Sequence, residues 1–139
     1  MRKYFVDSNV FLRFYSIDDE KQRQQAKEML LKAKNKEVEL YCGPPVFFEV
    51  AWVLGSTYGL SHNEILDTLE TMLYIPNLHV LDEEIVRSSI ELARKTKQGF
   101  ADSYITITAK KLEIGVVTFN IKHFSKLGVE LYPFEDAER

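Results

Sequence analysis

The chain has 139 residues, 45% hydrophobic, 12% aromatic and 28% charged, which suits one domain with a real core and excludes a disordered segment. A formal charge of −3 excludes a generally basic nucleic-acid coat, so any bound nucleic acid must be held by a local patch or through metal ions. The single cysteine, Cys42, excludes an internal disulfide and a multi-cysteine zinc site and reads as a small hydrophobe. No apolar run approaches the roughly 20 residues of a membrane span, and the N-terminus enters a strand instead of a signal peptide, so a cytoplasmic location and no membrane partner are expected.

"KYFVD" reads as a short strand, and "SNVFLRFYS" behind it as a helix that Ser8 or Asn9 can cap. In "DDEKQRQQAKEMLLKAKNKE", Ala26, Met29, Leu30 and Ala33 recur at i, i+3, i+4 and i+7, with acids at the start and lysines at the end, which predicts an amphipathic helix. "VELYC" is the next strand; Gly43 breaks it, and Pro44 and Pro45 suit the opening of the helix "VFFEVAWVLGSTYG". Ser61 caps "HNEILDTLETMLY", striped by Ile65, Leu66, Leu69, Met72 and Leu73. "LHVL" is a third strand, Asp82 can cap "EEIVRSSIELARKTK", and Gly99 introduces "FADSYITITAKKL". "GVVTF" and "VELYPF" supply the last strands. With no repeat, low-complexity tract or linker, the expectation is a single domain over 1–139. Strands separated by helices require crossovers, hence a three-layer α/β/α domain around a mainly parallel sheet of four or five strands.

In such sheets chemistry collects beyond the carboxyl ends of the strands. Asp7 sits at such an end, although a helix cap explains an isolated Asp equally well. Glu49, in "PPVFFEVAWVL", has apolar residues on both sides and is expected to be partly desolvated, which requires a compensating partner. Its plain alternative is a first-turn acid facing a helix N-terminus. Asp102, in "GFADSYI", lies in the first turn of its helix between Phe100, Ala101 and Ile105, with the same alternative. Three acids in one context, two without a neighbouring Lys or Arg, suggest a shared cation. Carboxylates without His or Cys support suit Mg²⁺ or Mn²⁺, ions that bind phosphate oxygens and activate water.

The ordered set "YFVDSNVFLRF", "PPVFFEVAWVL", "GFADSYITITAKK" and "GVVTFNIKHF" resembles the PIN domain, especially the VapC-type toxins of type II toxin-antitoxin pairs, over essentially the whole chain. The resemblance implies a Rossmann-like fold, an acidic site for Mg²⁺ or Mn²⁺, and endonucleolytic cleavage of RNA by attack of water, leaving a 5′-phosphate and a 3′-hydroxyl. Asp7, Glu49 and Asp102 match the family's acids and are implied metal ligands. Ser8 stands where the family often has Thr, Asn9 matches its small polar residue, and Thr118 its usual hydroxyl. Asn120 departs: the family often has Asp there, or an acid three residues later, where this chain has His123. An amide oxygen can still ligate but brings no charge, so a second metal site is expected to be weaker. A lone His near a turn is ordinarily only solvated or hydrogen-bonded, and "TFN" also reads plainly as a strand followed by an Asn-initiated turn.

Arg13 and Lys97, with Lys95, Lys110 and Lys111, are candidates for contacting the RNA backbone; solvated helix ends are their plain alternative. Phe47, Phe48, Trp52 and Tyr58 recur at helical spacing, so core packing is the default. The resemblance also implies a cognate antitoxin partner and a homodimer. Two other classes stay open. One is a PIN fold with weakened or lost catalysis acting as an RNA- or protein-binding module, favoured only by Asn120. The other is a phosphotransferase using Asp7 as nucleophile, as in haloacid-dehalogenase-like enzymes; that chemistry needs an acid two residues later, where this chain has Asn9.

Overall fold

The computed structural model describes residues 1–135; positions 136–139, the end of the expected domain, lie outside the described residues. The elements run β1 (Arg2–Phe5), α1 (Ser8–Tyr15), α2 (Glu20–Lys34), β2 (Val38–Cys42), α3 (Pro44–Ser56), α4 (His62–Leu73), β3 (Leu78–Val80), α5 (Glu83–Thr96), α6 (Phe100–Lys111) and α7 (Ile121–Phe124). The chain divides into two compact units, Met1–Glu83 and Glu84–Arg139.

In the first unit the strands form one parallel sheet in the order β1-β2-β3. The register pairs Arg2 with Val38, Phe5 with Tyr41, Leu40 with Leu78 and Cys42 with Val80. Parallel neighbours cannot be joined by a hairpin, and two helices fill each passage between them. β1 is an edge strand exposed along its length, and Arg2 and Lys3 guard it against pairing with another chain.

The helices start where local chemistry places them. The Asp19 side chain accepts the Gln22 N–H at 3.0 Å and caps α2. Pro44 and Pro45 occupy the first turn of α3, where a missing N–H costs nothing. Ser61 and Glu64 form a reciprocal capping box at α4, and the Ser61 backbone N–H and hydroxyl hold the Glu64 carboxyl below its usual range. α1 packs on α2 and α3, α3 on α4, and α2 on β2. Phe11, Leu40, Phe47, Val50, Leu66, Leu69 and Met72 are all buried, each worth about 1.5–3 kcal/mol relative to exposure. Cys42 is also buried, and burial pushes its thiol up to about 12, in keeping with a small hydrophobe.

The second unit packs Ala109, Val116, Phe124 and Leu127 together, with Leu92, Val129 and Leu131 against them. The segments expected as a fourth and a fifth strand meet here in a single parallel bridge between Val116 and Leu131. Two hydrogen bonds make it: Val116 N–H to the Glu130 carbonyl at 2.8 Å and Tyr132 N–H to the Val116 carbonyl at 2.9 Å. A β-carbon at position 115 would stand 3.0 Å from the Glu130 carbonyl oxygen, so Gly115 permits this approach. Where a simple Asn turn was the plain expectation, the short helix α7 follows Asn120. The class is the expected one, α/β with a parallel sheet and seven helices among the described residues.

Candidate active site

Asp7 lies two residues past the end of β1, at the N-cap position of α1, with extended backbone (φ −78°, ψ 157°). A carboxylate there normally accepts an N–H of the first turn. This one makes no capping hydrogen bond and is exposed to solvent. Ser8 and Asn9 follow on the first turn of α1, Ser8 buried and Asn9 exposed.

Glu49 is the sixth residue of α3, past its first turn, which removes the reading as an acid at the helix N-terminus. Nor is it desolvated, contrary to expectation. Pro45, Glu49, Trp52 and Ser56, at i, i+4, i+7 and i+11, are all exposed, whereas Val46, Phe47, Val50 and Leu54 are buried. The helix is apolar nearly all round, but only one side of it meets the core, and Glu49 belongs to the other. Trp52, expected in the core, shares that outer stripe and is 73% exposed. Because α1 packs against α3, the helices carrying Asp7 and Glu49 are neighbours.

Arg13 is already engaged: its Nε donates to Gln22 Oε1 at 2.8 Å and its guanidinium stands 3.5 Å from the Asp18 carboxylate. A phosphate at Arg13 would have to compete with Asp18. Tyr58, half-buried, donates to the same Asp18 carboxylate at 2.7 Å, so it too is a structural partner here.

In the second unit, Asp102 is in the first turn of α6, behind the N-cap Gly99, with its side chain 27% exposed. Its Oδ2 stands 3.8 Å from His123 Nδ1. The same Nδ1 is 2.8 Å from Asn120 Nδ2, and the Asn120 backbone N–H donates to Thr118 Oγ1 at 2.9 Å. Asn120 occupies the N-cap position of α7 without a side-chain cap, since its amide is turned to His123. Asn120 thus joins Thr118 to His123, and His123 stands beside Asp102, which brings three of the positions singled out from sequence into one neighbourhood. Sequence reasoning passed over that link because Asp102 and His123 are 21 positions apart; the only local signal was the i, i+3 spacing of Asn120 and His123. Lys95, Lys97, Lys110 and Lys111 are exposed, Lys97 in the left-handed conformation (φ 61°) and Lys110 3.5 Å from the Leu127 carbonyl.

Among the described residues, no three His, Cys, Asp or Glu side chains stand close enough together to hold a metal ion. Asp7 and Glu49 belong to the first unit, Asp102, Asn120 and Thr118 to the second. Carboxylates are the donor type that suits a hard cation, and those of Asp7 and Glu49 are consumed by no helix N-terminus, whereas Asp102 stands beside His123.

The sequence matches the profile of the PIN domain over residues 4–130. The chain belongs to the PIN domain family. All four motifs quoted above lie within the matched PIN span. A VapC ribonuclease of Aquifex aeolicus (strain VF5) is 26% identical over 133 residues, covering 95% of this chain and 98% of that relative. The crystal structure of VapBC2 from Rickettsia felis bound to a DNA fragment from their promoter aligns over 96% of this PIN chain and 99% of that one, at 16% identity and a TM-score of 0.38. No helix among the described residues is long and apolar enough to cross a membrane.

Proposed function

We propose that this PIN-family chain is a metal-dependent endoribonuclease that hydrolyses RNA phosphodiester bonds and acts as the toxin of a type II toxin-antitoxin pair. The observation that carries the reading is Asp7: a carboxylate at a strand end and helix start that takes no part in capping the helix it precedes. Membership of the PIN family and the near full-length likeness to a VapC ribonuclease support RNA as the substrate.

In this reading Asp7, Glu49 and Asp102 hold Mg²⁺ or Mn²⁺, with Asn120, Ser8, Asn9 and Thr118 in support. When bound, the ion supplies Lewis-acid activation of water and neutralises charge on the scissile phosphate. The chain's own groups do the rest. The uncapped N-terminus of α1 presents backbone N–H groups and a partial positive charge to an anion. Asn120 contributes a dipole without charge, so the metal-facing field on that side is weaker than an Asp would give. Lys97 and Arg13 meet the RNA backbone, Arg13 by exchanging Asp18 for phosphate. The functional unit is the single PIN domain 1–139, a cytoplasmic homodimer held in check by its antitoxin.

The test is a Mg²⁺ and Mn²⁺ titration of RNA cleavage by the purified protein. Metal-dependent cleavage of structured or single-stranded RNA is the expected result; no cleavage in millimolar Mn²⁺ overturns it. One observation favours a second reading, a binding module with lapsed catalysis: the Asn120 amide is spent on His123. RNA binding without cleavage at any metal concentration would establish that alternative.

A further inference from the structure

We propose that Phe119, stacked on Phe134 and braced by Tyr132, is a platform on which a base of single-stranded RNA stacks. The inference rests on the functional reading above and adds a substrate contact to it. In the second unit the Phe119 and Phe134 rings lie 4.7 Å apart, centroid to centroid, with planes 16° from parallel. Tyr132 meets Phe134 edge-on at 5.0 Å and 78°. Both arrangements are ones that aromatic pairs favour. Phe134 is half-buried, whereas Phe119 is 88% exposed and Tyr132 54%. Phe119 therefore gives one face to Phe134 and leaves the other to solvent.

Core packing does not account for that ring, because a phenylalanine so exposed gains little from burial. Its surroundings are nevertheless fixed. The Tyr132 N–H donates to the Val116 carbonyl at 2.9 Å, which ties the two segments together, and Pro133 stiffens the backbone between Tyr132 and Phe134. A face held open in advance loses little freedom when a flat ligand settles on it. Two observations point to an RNA base as that ligand. Phe119 directly precedes Asn120, whose amide is 2.8 Å from His123, itself 3.8 Å from Asp102, so the open face adjoins residues of the proposed site. From Val116 to Glu135, Lys122 and Lys126 are balanced by Glu130 and Glu135, so no net charge draws phosphate to this stretch. Stacking on an aromatic ring holds nucleic acid without charge, and every base has a face to offer. Unpaired bases are free to splay onto such a ring, whereas those inside a duplex are not.

The experiment uses the full chain carrying Asp7→Asn, which leaves RNA intact in millimolar Mg²⁺. The probe is a single-stranded RNA with 2-aminopurine placed at one position after another, a base whose fluorescence falls when it stacks. Binding should quench the probe most strongly at one position of the strand. Adding Phe119→Ala should relieve that quenching and weaken binding about 10-fold, with an unchanged salt dependence because no phosphate contact is lost. Phe119→Trp should keep both the affinity and the quenching. Phe119→Leu retains an apolar side chain without a ring and should behave as Phe119→Ala, which separates stacking from plain hydrophobic contact; circular dichroism checks that each variant is folded. A folded Phe119→Leu that binds and quenches as tightly as the Asp7→Asn protein alone overturns the inference. So does a dimer in sedimentation that Phe119→Ser dissociates, since the open face then belongs to a second copy of the chain. If either occurs while RNA cleavage by the parent still depends on Asp7, only the platform falls. If the protein neither binds nor cleaves RNA, the functional reading falls with it.

Discussion

Two helix caps in the first unit make the clearest contrast available for testing Asp7. Ser61 is a working cap: its Oγ accepts the Glu64 N–H at 3.2 Å, and its own N–H donates to Glu64 Oε1 at 2.9 Å. Asp7 holds the equivalent position on α1 and makes no such bond. Removing a functioning cap costs about 1 kcal/mol, so Ser61→Ala should lower the stability of the unit by that amount, or about 4–8 °C in Tm. Asp7→Ala deletes no hydrogen bond, only the attraction of an exposed charge to the helix N-terminus, which salt screens. In 0.5 M salt its cost should stay below about 0.5 kcal/mol, while RNA cleavage should fall at least about 100-fold, as loss of a metal-site residue does. Both residues lie within Met1–Glu83, so urea unfolding followed by circular dichroism reports on the same structural unit. If Asp7→Ala costs as much as Ser61→Ala, the carboxylate caps the helix in solution and its structural role is the real one.

Three further outcomes follow from burial. Phe47 is fully buried and Trp52, on the opposite face of α3, is 73% exposed; Phe47→Ala should cost about 3–5 kcal/mol and Trp52→Ser less than about 0.5 kcal/mol, measured by urea denaturation. Cys42 should resist thiol reagents at pH 8 in the native protein and react at once in urea, because burial raises its thiol from 9.0 to about 12. The unfolded thiol ionises near pH 9 and the folded one only near 12, so stability that is present below pH 9 is lost as pH rises through that window. Cys42→Val should flatten this alkaline decline.

Most of the first unit was legible because its signals are local. The Ala26, Leu30 and Ala33 stripe, the two prolines of α3 and the Ser61 cap each state where a helix lies and which way it faces. The third helix shows where that stops. With apolar residues on every side between Val46 and Leu54, periodicity cannot say which face is buried, and both Glu49 and Trp52 were assigned an interior they do not have. The last strands were legible in composition but not in extent: "GVVTF" and "VELYPF" are β-rich, but the length of a ladder depends on partners, and among the described residues the two segments meet in one parallel bridge. Of the candidate site, the residue types were readable. How each carboxylate is used was not, because a cap made or left unmade at Asp7, and a histidine brought beside Asp102 from 21 positions away, are decided by the folded backbone.

The central claim is that Asp7 serves a metal-dependent cleavage of RNA. Its most direct test is the initial rate of RNA cleavage by the parent and by Asp7→Asn, each in millimolar Mn²⁺ and again after excess EDTA. The expected result is cleavage by the parent that EDTA abolishes and added Mn²⁺ restores, with Asp7→Asn at least about 100-fold slower though equally folded. Cleavage that survives EDTA, or an Asp7→Asn variant as fast as the parent, would contradict it.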